Sequence, residues 1–359
     1  MADRIERNKT FLANIHARGP FQGHGLVCKP EAVAAWSGPD NEFTTSTRPA
    51  DEWVPLVVEN YRRQVELLEA VGHDDVPTAD ISTGTQLFAA AFGCPVHRYE
   101  DTNPCALPLV RTAAEADALE EPDIWTAPSL YRVFELADAV RGELGPDVPL
   151  GPPDKQTGFD TACLIWEKTG IYSAMLLEEE KAAVKRLTEK CTRLLIRFIR
   201  ELGKEFPTMT MAGCPGVWCP PEMPPGFSND ECGAFGTELF AESCLPELVE
   251  LSEAFGGMAM HCCADAEHQF PLFGRIPNFY AFNRVAGKRG YMPILEHFSG
   301  PDAPLHILAW IADETIEQLL EAAPGGTRFV FVQTGATMET AARWLDRMRE
   351  LCPRSQPGA

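Results

Sequence analysis

Positive charge is scarce in this chain: 31 Lys and Arg stand against 52 Asp and Glu in 359 residues, a formal charge of −21. That balance disfavours an electrostatic grip on nucleic acid or anionic lipid, since both need clustered Lys and Arg. No apolar run approaches the roughly 20 residues of a membrane span, and the charged stretch Met1 to Lys9 has no signal-peptide core behind it. Neither a Gly-x-Gly-x-x-Gly turn nor a Walker-type phosphate loop occurs, which weakens dinucleotide and ATP chemistry. Low-complexity tracts are absent too, which argues against disorder. These absences predict a folded cytoplasmic protein with no nucleic-acid or membrane partner.

Hydrophobic residues make up 45% of the chain and charged residues 23%, as in an ordinary globular protein. The twelve cysteines lack the regular spacing of a disulfide-stapled domain, which favours reduced thiols, some of them available to a metal. The length suits two ordinary domains or one large α/β barrel of about 250 residues with insertions.

Residues 1–50 are rich in Gly, Pro and polar groups and read as an N-terminal extension or lid. Trp53, Leu56, Val57, Tyr61, Val65 and Leu68 then lie at helical spacing. The clearest helix is expected from about Leu177 to Leu202, with Val184, Leu187, Cys191, Leu194, Leu195, Phe198 and Leu202 on one apolar stripe. Downstream, strands near 208–212, 258–260, 279–282, 305–309 and 329–332 alternate with helices at 245–255, 264–273, 313–322 and 338–351. Such alternation with short connections means a parallel sheet, and this many repeats favour a closed (β/α)8 TIM barrel over residues 51–351. A tail of 352–359 follows.

The predicted strands end in polar or amphipathic residues: His261 with Cys263, Asn283 with Arg284, Trp310, and Gln333 with Thr334. In a barrel these would converge at the mouth that holds substrate. His261 and Cys263 are soft ligands where a strand stops. The Pro-rich loop from Cys214 to Cys232 could complete a tetrahedral zinc shell from Cys214, Cys219, Cys232, Asp230 or Glu231. Arg284 at a strand end would attract an anionic substrate group, and Asp154 and Lys155 could reach substrate at the mouth. His24, His73, His97, His268, His297 and His306 have no evident ligand partner and read as structural or surface groups.

Four stretches carry a resemblance to a known family. They are Gly84 to Pro95, Gly158-Phe159-Asp160-Thr161-Ala162 with the long helix after it, Asn229-Asp230 to Pro246, and Phe255-Gly256-Gly257-Met258-Ala259-Met260-His261-Cys262-Cys263. In order and spacing the region from roughly Asp80 to Leu351 resembles the uroporphyrinogen decarboxylase superfamily, which includes the decarboxylase of haem synthesis and corrinoid-dependent methyltransferases. The resemblance implies a single (β/α)8 barrel with its cleft at the strand carboxyl ends. True decarboxylases carry an Arg-Gln-Ala-Gly-Arg segment near the amino terminus; here Phe21-Gln22-Gly23-His24-Gly25 offers no arginine pair. The methyltransferase branch holds zinc with His-x-Cys and a distant cysteine, and His261 and Cys263 match the first two. At the expected third place the chain reads Phe331-Val332-Gln333-Thr334-Gly335, without cysteine.

The resemblance therefore implies a methyltransferase moving a methyl group between a small methylated compound or thiol and a corrinoid carrier protein. Zinc would be held by His261, Cys263 and Cys219. Asp230, Glu231, Asn283 and Arg284 are the expected catalytic group, Asp154 and Gln333 the cofactor contacts, and a homodimer is compatible. The alternatives are a decarboxylase-like lyase and a non-catalytic barrel that binds a corrinoid or tetrapyrrole.

Overall fold

The computed structural model describes residues 1–32, 45–99 and 103–352. Ten strands occur among them: β1 (Gly25–Pro30), β2 (Ala79–Asp80), β3 (Val96–His97), β4 (Cys105–Ala106), β5 (Leu150–Gly151), β6 (Gly226–Ser228), β7 (Met258–Cys262), β8 (Phe279–Arg284), β9 (Leu305–Ala309) and β10 (Phe329–Ala336). Six form one parallel sheet in the order β1-β10-β9-β8-β7-β6. β2 and β5 form a short parallel ladder, and β3 and β4 a separate antiparallel pair.

Single backbone bonds carry the ring across the remaining gap. Asp74 N–H donates to Leu26 O at 2.8 Å, Thr210 N–H to Leu150 O at 2.9 Å, and Gly226 N–H to Met211 O at 2.9 Å. The architecture is the expected (β/α)8 barrel, with long ladders in its C-terminal half and two-residue ladders in its N-terminal half.

Strands buried on both faces read as nearly continuous apolar runs, and β7 and β9 are buried along their whole length. Their alternate residues serve two cores. Val27, Ala259, Ala281, Ile307, Val330 and Val332 belong to the inner core. Met258, Met260, Phe282, Leu308, Phe329 and Phe331 face outward into the core shared with the helices.

The helix Lys181–Glu205 buries the whole predicted stripe, though it begins four residues later than the spacing suggests. Phe198 is fully buried, with ring centroids 5.3 Å from Phe88 and 5.6 Å from Phe134. Phe198→Ala should cost about 3–5 kcal/mol, read as a lowered urea midpoint with an unchanged slope.

Three expectations need correction. Residues 208–212, expected as a strand, hold only a bridge from Met209 to Leu150, and strand β6 falls inside the segment expected as a loop. The segment 264–273 holds only a short turn at Glu267–Gln269 and the single-turn helix Phe270–Phe273. Pro271 lacks an N–H and therefore sits in a first turn, not mid-helix. Up to residue 32 the amino-terminal segment is built into the barrel, not laid over it as a free extension. Its helix Ala2–His16 buries Phe11, Leu12 and Ile15 against the inner core, and β1 pairs with β10. Arg18 donates to Asp302 O and to Asn278 Oδ1, while Arg328 donates to Gly19 O. Those partners precede or begin β8, β9 and β10, so the helix floors the barrel at the end opposite the mouth. A six-residue strand and a plug helix carry too little periodicity to stand out beside Gly- and Pro-rich neighbours. Residues 33–44 of the expected extension and 353–359 of the expected tail lie outside the described residues.

Candidate metal centre and cavity

Register assembles the site. Ser228 pairs with His261, and His261 with Asn283, across β6, β7 and β8, so one row of inward-facing side chains crosses three strand ends. Three ligand atoms of Asp230, His261 and Cys263 lie within 4.8 Å of one another. His261 Nε2 stands 3.7 Å from Asp230 Oδ1, and the N–H of Cys263 donates to that same oxygen at 2.8 Å. Ligands of a tetrahedral zinc ion stand roughly 3.3–3.8 Å apart. The donor set of one imidazole, one carboxylate and one thiol thus fits such an ion with little movement.

The surroundings fit it as well. His261 Nδ1 lies 2.5 Å from Asn283 Oδ1, and Asn283 Nδ2 donates to Ile307 O at 2.5 Å. The second bond fixes which way the amide faces. Its oxygen then accepts from Nδ1–H, which leaves Nε2 as the lone-pair nitrogen facing Asp230. Metal-bound histidines are typically held in this way through the other ring nitrogen. Asp160, fully buried, accepts from the N–H groups of Asp230 at 2.5 Å and Glu231 at 3.1 Å. Burial and the neighbouring Asp230 hold its carboxyl well above the usual range. Burial, reinforced by Asp230, likewise pushes the Cys263 thiol up. A divalent cation would relieve this concentration of negative charge.

Beside the triad a cavity of about 600 Å³ opens at the mouth, lined by Ser228, Asp154, Lys155, Lys29, Asp80 and Trp310 among others. Asp154 is part of the cavity wall, and burial holds its carboxyl above the usual range.

Residues 64–277 match the profile of the family named uroporphyrinogen decarboxylase (URO-D). The chain belongs to the URO-D family. Its fold is similar to that of a solved methyltransferase from Methanosarcina mazei, with a TM-score of 0.64 at 12% identity, over 96% of this chain and 98% of that one. No curated protein matches the chain.

Within this URO-D barrel the structure separates the predicted site residues. Asp230, His261, Cys263 and Asn283 converge, and Asp154 lines the adjoining cavity. Cys219 does not join them: it is buried, with Sγ 3.2 Å from Thr210 Oγ1 and its own N–H donated to that hydroxyl. Asp230, two residues beyond the end of β6, stands beside His261 instead. Glu231 turns away to Lys168 Nζ at 2.5 Å and to the Tyr172 hydroxyl. Arg284, 1% exposed, is in register with Cys262 and donates to the carbonyls of Cys262 and Val285. One residue beyond the inward-facing Asn283, it points into the barrel wall and cannot attract substrate there. Gln333 accepts from Cys28 Sγ at 3.7 Å and donates to Thr340 O at 3.5 Å, while its successors Thr334 and Gly335 line the cavity.

All twelve cysteines are free thiols; Cys232 and Cys262 come within 3.6 Å behind the triad. Burial pushes His24, His73 and His306 down to about 4, as suits structural imidazoles. Lys29 and Asp160 escaped the sequence reading. The apolar run Leu26-Val27-Cys28 before Lys29 was the available signal for the first. Asn283→Ala should weaken metal binding by roughly 10–100-fold, measured by competition with a chromophoric chelator, with the unfolding midpoint checked in parallel.

Proposed function

We propose that this URO-D chain is a methyltransferase that moves a methyl group between a small methylated compound or thiol and a corrinoid carrier protein. The observation that carries the reading is the Asp230, His261, Cys263 triad at the strand carboxyl ends, beside a cavity large enough for a small substrate. A zinc ion held there would supply Lewis acidity, keeping a thiol in its nucleophilic thiolate form or polarising the heteroatom that carries the methyl group. The chain's own residues do the rest. Asn283 orients His261, Asp160 holds the Asp230 loop by two N–H groups, and the cavity walls place the methyl group beside the triad.

Among the described residues lining the cavity the cations are Lys29 and Lys155, with no arginine. That matches the lack of the arginine segment expected of a tetrapyrrole decarboxylase. No helix among the described residues is long and apolar enough to cross a membrane. With all twelve thiols free, we place the protein in the reducing cytoplasm.

The test is a methyl-transfer assay on the zinc-loaded protein. Methylcobalamin with a panel of thiols, and cob(I)alamin with methyl ethers, amines and thioethers, are followed through the cobalt absorption spectrum, with and without a corrinoid protein. Turnover in either direction that falls to background after chelation supports the reading. Turnover of uroporphyrinogen with none of methylcobalamin or cob(I)alamin overturns it.

A further inference from the structure

Lys155 is a buried cation with no carboxylate in contact with its ammonium. It is 4% exposed, and its Nζ donates to Ala212 O at 2.9 Å and Pro153 O at 3.4 Å, both neutral acceptors. Among the described residues no Asp or Glu oxygen lies within the 4.0 Å of an ion pair. The nearest candidate by sequence, Asp154, instead accepts from the Gln156 side-chain amide at 3.0 Å. An ammonium carries three N–H donors, and an unpaired buried charge is costly. Burial lowers Lys155 to about 8, with Asp154 nearby working against it, so it still carries its charge at neutral pH. The group lines the cavity beside the triad, where a ligand can supply the missing counter-charge.

The rest of the cavity favours an apolar body. Trp53, Leu56, Val57, Leu136, Pro153 and Trp310 form much of its wall. Trp310 stays 54% exposed at the end of β9, with a backbone φ of 56°. That left-handed conformation is strained for a non-glycine residue, and strain of this kind gathers at ligand-binding positions.

We propose that the substrate site takes a small carboxylic acid bearing a heteroatom-linked methyl group, its carboxylate paired with Lys155 and its apolar body against Trp310 and Leu56. One carboxylate suits the site better than a phosphate dianion, because Asp154 and Asp80 share the wall with the lysines. The methyl group in this proposal rests on the methyl-transfer reading; the carboxylate contact rests on the cavity alone.

The experiment is calorimetric titration of the full chain with matched acid and amide pairs: methoxyacetate against methoxyacetamide, and 3-methoxybenzoate against 3-methoxybenzamide. At least one acid should bind ten-fold or more tightly than its amide, and Trp310 fluorescence should change on binding. Lys155→Gln should abolish that preference, bringing acid and amide affinities together, and Lys155→Arg should keep part of it. Circular dichroism and the unfolding midpoint establish that the variants fold; Trp310→Ala, at a half-exposed site, should weaken acid and amide alike. Equal binding of acids and amides, no binding of either, or a preference surviving in folded Lys155→Gln overturns the proposal. Binding needs neither carrier nor turnover, so the outcomes separate. Acid binding without methyl transfer defeats only the methyltransferase reading, and transfer from neutral or cationic donors alone defeats only this one.

Discussion

Replacing His261, Cys263 or Asp230 by alanine should each reduce zinc affinity by at least about 100-fold, beyond the roughly 10–100-fold that follows loss of an outer hydrogen-bond partner. Cys219→Ala should leave it unchanged. The contrast is decisive because, of the two residues, only Asp230 reaches His261 Nε2, at 3.7 Å. Cys219 is spent on Thr210. Elemental analysis of the four dialysed proteins, with competition against a chelator, measures it. Retained zinc in Asp230→Ala together with lost zinc in Cys219→Ala would move the third ligand back to cysteine. The loss should steepen as pH falls, because all three donors bind metal only when deprotonated.

Asp230 was one of five residues that could complete the zinc shell, and the sequence offered no way to choose among them. His261 and Cys263 could be found because an apolar run stops at them, and an inward row follows once strands are placed. Asn283 fell in the same row for the same reason. Arg284 shows the limit of that logic, since one residue along a strand reverses the face, and the sequence cannot say which of two adjacent polar residues points inward. The choice of Asp230 depends on where β6 lies, and three residues among prolines are too few to show a period. The bond from Asp160 to the Asp230 backbone joins residues seventy apart. The same reasoning separates the halves of the barrel. Five- to eight-residue strands such as β7 and β10 show as apolar runs, whereas β2 and β5, two residues each, are too short to show at all. The plug helix Ala2–His16 was missed because its few apolar residues, Phe11, Leu12 and Ile15, occupy one narrow stripe in a charged segment.

Glu247→Gln should stabilise the protein at alkaline pH and do little at pH 5. Glu247 lies fully buried under the amino end of the helix Gly158–Ile165. It accepts from the Phe159 N–H at 2.9 Å and the Thr192 hydroxyl at 3.1 Å. The approach is so close that a side chain at Gly158 would strike Glu247 Oε2 at 2.6 Å and Thr192 Oγ1 at 2.1 Å. Burial outweighs those hydrogen bonds and raises the carboxyl from 4.5 to about 8. Between these values the folded protein holds a proton that the unfolded chain has released, so stability falls as pH rises. The contribution is complete below 4.5 and lost through about 8. At about 1.4 kcal/mol per pKa unit the penalty above pH 8 reaches about 5 kcal/mol. Glutamine keeps the acceptor oxygen without the charge. Urea unfolding of both proteins at pH 5 and pH 8.5 should therefore show a variant advantage of several kcal/mol at the higher pH only; the same difference at both would mean that Glu247 does not change its proton on unfolding. The helix it supports carries Asp160, which holds the Asp230 loop. The variant should accordingly keep its zinc to higher pH than the parent, since the ligand loop can stay in place only while that helix does.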